Sequence, residues 1–268
     1  QYNNTGSGSQ FLGTQFYGDV KFIHNVEGSG MCKWILVVVI TNKSVGQSRK
    51  DKEIHILKRL GACPYRYRKN RNPSAFRGTC EWFISHENFH KWLDGGASNI
   101  LWISADPGCG KSVLVRYLAD SILPSTASRK VSYFFFKDDF EDQRSILSAL
   151  CCILHQLFMQ DSSLLTDDVL LLFEDVNGQR ITESVAELWQ TVIKVANNNP
   201  DIEFLCLIDA IDECDSAGRS RFFNGIINLY GAGKCPNLKL LITSRPYQEI
   251  SAGFKPLEGL ELPVIHLS

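Results

Sequence analysis

Five short apolar runs, each closed by polar or turn-forming residues, punctuate the C-terminal two thirds of the chain: Asn99–Ser104 (NILWIS), Val131–Phe136 (VSYFFF), Glu203–Asp209 (EFLCLID), Leu238–Thr243 (LKLLIT) and Val264–Leu267 (VIHL). Runs of this length without polar alternation read as strands buried on both faces. Between them apolar residues recur at helical spacing, most clearly over Asp142–Gln160 and Ser184–Ala196, and an apolar helix over Val113–Ile122 follows the first run. Strands alternating with helices predict an α/β fold, a mostly parallel sheet flanked by helices.

The N-terminal part has a different texture. Residues 1–18 (QYNNTGSGSQFLGTQFYG) carry no charged side chain and too little apolar surface to fold alone, which predicts a disordered or irregular extension. Residues 26–47 hold an apolar burst between polar flanks, readable as a buried strand or as a translated non-coding insertion. Residues 49–77 contain ten Lys or Arg against Asp51 and Glu53, densest at Tyr65-Arg66-Tyr67-Arg68-Lys69-Asn70-Arg71. Basic residues interleaved with tyrosines suit nucleic acid; a solvated linker with a short amphipathic helix around Glu53–Leu60 is the preferred reading. The expected organisation is therefore a polar segment over 1–18, a linker with a basic stretch over 19–75, and one domain over 76–268.

Composition adds few constraints. With 28 basic and 29 acidic residues the net charge is −1, so no overall field draws the protein to nucleic acid or membrane. The nine cysteines form no C-x-x-C pair, a pattern that suits a reducing cytosol better than a disulfide scaffold. The first residues lack the features of a secretory signal. The longest apolar run, Trp34–Ile40, is far short of the ~20 residues that cross a bilayer. A cytoplasmic protein with no membrane partner is expected. Cys63, Cys80, His86 and His90 are conceivable zinc ligands, with the two histidines one helical turn apart, but Trp82, Phe83, Phe89 and Trp92 make that segment a packing helix instead.

The first strand runs directly into Ala105-Asp106-Pro107-Gly108-Cys109-Gly110-Lys111-Ser112, followed by the apolar helix that begins at Val113. A loop that wraps phosphates presents backbone N–H groups inward, and glycines at 108 and 110 are expected because a Cβ there would obstruct. Pro107 to Val113 would cradle the phosphates, Lys111 would reach the β- and γ-phosphates, and the Ser112 hydroxyl would ligate Mg²⁺. The third run ends in a carboxylate, Asp209, with Asp212 and Glu213 just beyond. Asp209 would complete the magnesium site, and Asp212 or Glu213 would polarise an attacking water. The fourth run ends in Thr243-Ser244-Arg245-Pro246, where the Arg245 guanidinium suits a γ-phosphate.

Six segments together resemble one family: Gly78-Thr79-Cys80-Glu81-Trp82, Ala105–Leu114, Phe134–Asp139, Leu150–Leu157, Asp209–Asp215 and Thr243–Pro246. They are similar to NACHT-type P-loop NTPases of the STAND signalling class, in the fungal form also described as the nephrocystin-3-like N-terminal domain. The resemblance implies a five-stranded core in which the Arg245 strand lies between the Lys111 and Asp209 strands. It also implies ATP or GTP with Mg²⁺, nucleotide exchange rather than fast turnover, and a signalling role in fungal non-self recognition or cell death. Family members normally continue into a winged helix and repeats, so the domain is expected to be truncated before them. Asn4–Gln10 further resembles the amyloid signalling motifs found ahead of fungal NACHT domains, which implies self-association or templating of an effector. The competing readings are a working ATPase or nucleotide kinase, and a nucleation module without turnover. An arginine-rich lid inside the domain would mark a kinase, and the basic stretch here precedes the phosphate loop.

Overall fold

A computed structural model describes residues 48–61, 64–95, 99–174, 181–230, 235–260 and 262–267; the segments read as an amyloid-like motif and as an apolar insertion lie outside them. In chain order the elements are helices α1 (Arg49–Leu60), α2 (Tyr65–Arg71), α3 (Glu81–Ile84) and α4 (Glu87–Leu93), strand β1 (Ile100–Ala105), helix α5 (Lys111–Tyr117), strand β2 (Arg129–Phe135), helices α6 (Ile146–Gln160), α7 (Asp167–Glu174) and α8 (Val185–Asn197), strand β3 (Glu203–Asp209), helix α9 (Ser216–Tyr230), strand β4 (Leu238–Ser244), helix α10 (Gln248–Phe254) and strand β5 (Val264–Leu267). A wider, π-type turn over Leu118–Ile122 extends α5.

The five strands form one sheet in the order β2-β3-β4-β1-β5, with every pairing parallel. β4 thus separates β1 from β3, as the family resemblance implies. Alternate residues of each strand serve opposite cores. Trp102, Phe134, Phe204, Cys206, Ile208, Leu240 and Ile242 face a large cluster built with α6, α8, α9 and α10. Leu101, Ile103, Phe135, Leu205, Leu207 and Leu241 face a smaller cluster made by α3, α4 and α5. Double-sided burial is why these strands read as unbroken apolar runs rather than as alternating ones.

Residues 49–71, expected within a solvated basic linker, fold as α1 and α2 against this body. Ile56 and Leu60 enter the large core, and Arg68 is buried. α1 spans the short amphipathic helix expected around Glu53–Leu60; what the charge density concealed is that it and α2 pack on the domain. The expected helix carrying both histidines is broken: His86 stands before α4, where its Nδ1 accepts the Asn88 N–H at 3.1 Å, and only His90 lies within the helix.

β2 is an edge strand, and three glutamines satisfy its outer edge. Gln160 accepts from Val131 N–H and donates to its carbonyl, Gln156 does the same at Tyr133, and Gln143 donates to Phe135 O at 3.1 Å. Positions 156 and 160 are four residues apart on α6 and rise about 6 Å, close to the two-residue repeat of a strand, so successive turns meet successive outward-facing amides. A sheet edge closed in this way offers no ladder to another chain. Gln156→Ala is expected to destabilise the protein by about 1–3 kcal/mol, because Tyr133 loses both partners. Urea unfolding measures the loss, and light scattering at the transition should reveal increased association through the opened edge; an unchanged midpoint would show that water replaces the glutamine.

Candidate functional site

The loop between β1 and α5 holds its shape through backbone geometry. Gly108 and Gly110 have φ of +85° and +78°, where L side chains are strained. No protein atom lies within 4 Å of a Cβ built at either position, so within the protein itself it is the backbone conformation that requires glycine there. What remains beside them is an open cradle. Lys111 folds back over the loop and donates to Ala105 O at 2.7 Å and Asp106 O at 2.9 Å. Its ammonium therefore sits above the loop with no carboxylate partner among the described residues. Pro107 and Cys109 are exposed on the same turn, and Val113 follows in the first turn of α5.

Ser112 donates to Asp209 Oδ2 at 2.5 Å, across the tips of the strands. Thr243, at the end of β4, donates to the other carboxylate oxygen at 2.6 Å and accepts the Ala210 N–H at 2.9 Å. Asp209 is 2% exposed. Burial pushes its carboxyl up to about 6, more than the Ser112 and Thr243 hydrogen bonds draw it down, with the Glu213 charge adding to the rise. Thr243 was not singled out in sequence as a partner of Asp209, although it lies in the same four-residue motif as Arg245.

Directly after Asp209 the chain turns through Ala210, whose φ of 55° makes it the sole non-glycine residue in the left-handed region among those described. The reversal sends the neighbouring acids in different directions. Asp212, with a side chain 2% exposed, accepts the Arg245 N–H at 3.1 Å and faces its Nε at 3.4 Å. Glu213 lines a cavity of about 130 Å³ together with Ser112 and Asp209. It accepts the Asp138 N–H at 3.3 Å, and burial raises its carboxyl above the ordinary range. Arg245 connects the two acids, with Nη2 3.5 Å from Glu213, and donates to the Tyr247 hydroxyl at 3.0 Å. Arg219 of α9, which no sequence motif indicated, donates to the Asp212 and Cys214 carbonyls at 3.1 and 3.3 Å and to Glu249 at 2.6 Å. It fixes the acidic loop from behind.

The donors suit a hard cation and an anion side by side. Hydroxyl and carboxylate oxygens meet at Ser112 and Asp209, as magnesium requires. The open glycine cradle and the carbonyl-bound ammonium of Lys111 lie next to them, as phosphates require.

A family model described as Nephrocystin 3, N-terminal matches residues 78–245. The vegetative incompatibility protein HET-E-1 of Podospora anserina is 27% identical over 137 residues, which cover 50% of this chain and 10% of that protein. The chain thus spans about a tenth of the length of this relative. Among solved structures, the ADP form of the Aeropyrum pernix ORC2 protein is 13% identical, with a TM-score of 0.47 over 73% of this chain and 49% of that one. A Walker-type ATPase of Pyrococcus abyssi is also 13% identical, with a TM-score of 0.46 over 72% and 55%. No helix among the described residues is long and apolar enough to cross a membrane.

The raised Asp209 carboxyl has a consequence for stability without metal. Its folded-state value of about 6 lies above the ordinary carboxylate value, so its stabilising protonation is complete below about pH 4 and lost as pH rises through 6. Asp209→Asn should therefore raise the stability of the metal-free protein above pH 6, by up to about 3 kcal/mol for a shift of roughly two units. The advantage should shrink to near zero at about pH 4. Thermal unfolding across that range in EDTA checks the profile; a gain independent of pH would mean that the carboxylate is not strained by burial.

Proposed function

The chain belongs to the Nephrocystin 3 N-terminal family, and from that premise we propose that it is a nucleoside triphosphate switch that binds ATP or GTP with Mg²⁺ and turns it over slowly. The observation that carries this reading is the Ser112–Asp209 contact of 2.5 Å beside the glycine cradle and Lys111. Pro107 to Val113 would hold the phosphates, with Lys111 exchanging loop carbonyls for phosphate oxygens. Ser112 and Asp209 would hold the metal, which supplies positive charge to the phosphates when bound.

Of the two acids, the geometry favours Glu213 for orienting water. It opens on the cavity shared with Asp209, and its raised carboxyl brings it closer to a base poised near neutrality. Asp212 is engaged by Arg245 and would act by holding that guanidinium. Arg245, set between both acids, would answer to a terminal phosphate by changing partners. A switch needs an element of this kind, one whose contacts differ between nucleotide states.

The relative named for vegetative incompatibility supports extending a recognition or cell-death role to this chain, with a cytoplasmic location and self-association through residues 1–18 as parts of the same proposal. A peptide of residues 1–18 is then expected to form fibrils with a cross-β spacing of about 4.7 Å. A peptide that stays monomeric at high concentration would remove the templating part and leave the nucleotide part standing.

Calorimetry with Mg-ATP and Mg-GTP tests the central claim. Lys111→Ala should weaken triphosphate affinity by about a hundredfold, the equivalent of losing a strong charge-assisted contact, with no change in unfolding temperature. Glu213→Gln should keep the affinity and slow phosphate release. Equal affinity of wild type and Lys111→Ala would overturn the reading.

A further inference from the structure

The basic stretch ahead of the domain has no role in the reading above, yet its helix reaches the nucleotide site. α2 presents Arg68 and Arg71, three residues apart and so on one helical face, together with Asn72, to the cavity lined by Ser112, Asp209 and Glu213. Of these three residues, two are already engaged. Arg68 is buried and paired with Asp142. The Asn72 amide donates to the Arg68 and Lys69 carbonyls at 3.4 and 3.3 Å, closing the last turn of the helix. Arg71 differs. Its guanidinium lies 5.1 Å over the Phe140 ring, and among the described residues it has neither an ion pair nor a hydrogen bond. A guanidinium thus lines the same cavity as two carboxylates and pairs with neither.

The helix is also fastened to the one that follows the phosphate loop. Arg116 of α5 donates to Asn70 O at 3.2 Å and to Asn72 O, the carbonyls on either side of Arg71. Lys69 pairs with Asp120, which also holds Arg116 at 3.3 Å. Arg71 is therefore positioned by the same helix that begins with Lys111 and Ser112. A guanidinium held by an aromatic face, with its donors unengaged and its backbone clamped, is prepared for a phosphate it can grip through two N–H groups.

Resting on the nucleotide reading, we infer that Arg71 binds the terminal phosphate of the triphosphate from within the same chain, so that α2 belongs to the nucleotide site. The phosphate cradle and the metal-side oxygens are supplied by the loop and by Ser112 and Asp209. Arg71 lines the same cavity, and a diphosphate would leave it without a terminal phosphate to bind.

Calorimetry of the full chain with Mg-ATP, Mg-GTP and their diphosphates tests this on wild type, Arg71→Ala, Arg71→Lys and Arg66→Ala, the last being an exposed α2 arginine that does not line the cavity. Arg71→Ala should weaken triphosphate about tenfold and leave diphosphate within about twofold. Arg71→Lys should recover part of the loss, since it keeps the charge without the fork. Arg66→Ala should change neither, and unfolding temperatures should agree throughout. Equal losses for both nucleotides, or none, with wild type binding normally, would overturn the role of Arg71 alone. Failure of wild type to bind any nucleotide would overturn the proposed function together with this inference.

Discussion

The site depends on one buried carboxylate whose two oxygens are claimed from two different directions. Asp209 accepts from Ser112, which follows β1, and from Thr243, one residue before the end of β4, while itself ending β3. These contacts need β4 to lie between β1 and β3, because only then do the tips of all three strands converge. The same threonine accepts the Ala210 N–H, which steadies a left-handed turn that costs about 1–2 kcal/mol in a residue with a side chain. Strain, burial and sheet order are thus concentrated at one point. The reversal leads into a 3₁₀ turn over Ile211–Glu213, whose rotation of about 120° per residue separates Asp212 from Glu213.

That separation shows how adjacent residues of like charge take unlike roles. Asp212 is enclosed and faces Arg245, so its charge is matched inside the protein. Glu213 reaches the cavity with its carboxyl raised by burial, and its guanidinium neighbour stands at 3.5 Å. Arg219 binds the carbonyls of Asp212 and Cys214 and is anchored in turn by Glu249 on α10. A loop carrying two acids would otherwise relax toward solvent. The clamp from α9 keeps it against the strand ends, where low dielectric makes each charge count for more.

Much of this was legible in the chain because parallel strands are buried on both faces and so appear as unbroken apolar runs. β3 and β5 coincide with their runs, β4 is longer by one residue at its end, and β1 and β2 differ by one or two residues at each end. Lys111, Ser112 and Asp209 were legible because their chemistry demands fixed places after strands. The contacts that complete the site were not. Arg219 and Thr243 act through hydrogen bonds across the fold, which leave no local periodicity. Of the glutamines that close the β2 edge, Gln156 and Gln160 look in sequence like ordinary polar positions on α6, and Gln143 like a polar residue ahead of it. α2 was hidden by charge, since seven residues with four basic side chains resemble a solvated run. Only the tertiary partners, Asp142, Asp120 and the Tyr133 and Phe140 rings, reveal that Arg68, Lys69 and Arg71 engage the rest of the domain.

The balance of charge then says what kind of ligand the site fits. Without one, Lys111 rests on neutral carbonyls, Arg71 rests on an aromatic face, and Asp209 and Glu213 are both pushed toward protonation by burial. Opposite charges line one small space but are held apart, because each is clamped by its own element. A lone cation would relieve the carboxylates and leave two cationic side chains facing it. A lone anion would engage Lys111 and Arg71 while repelling Asp209. A metal-bound phosphate chain satisfies both sets at once, cation toward the strand tip and anion toward the cradle and α2. On the proposed nucleotide reading, such an arrangement would favour the complex over either component, so that magnesium and nucleotide would depend on each other for binding.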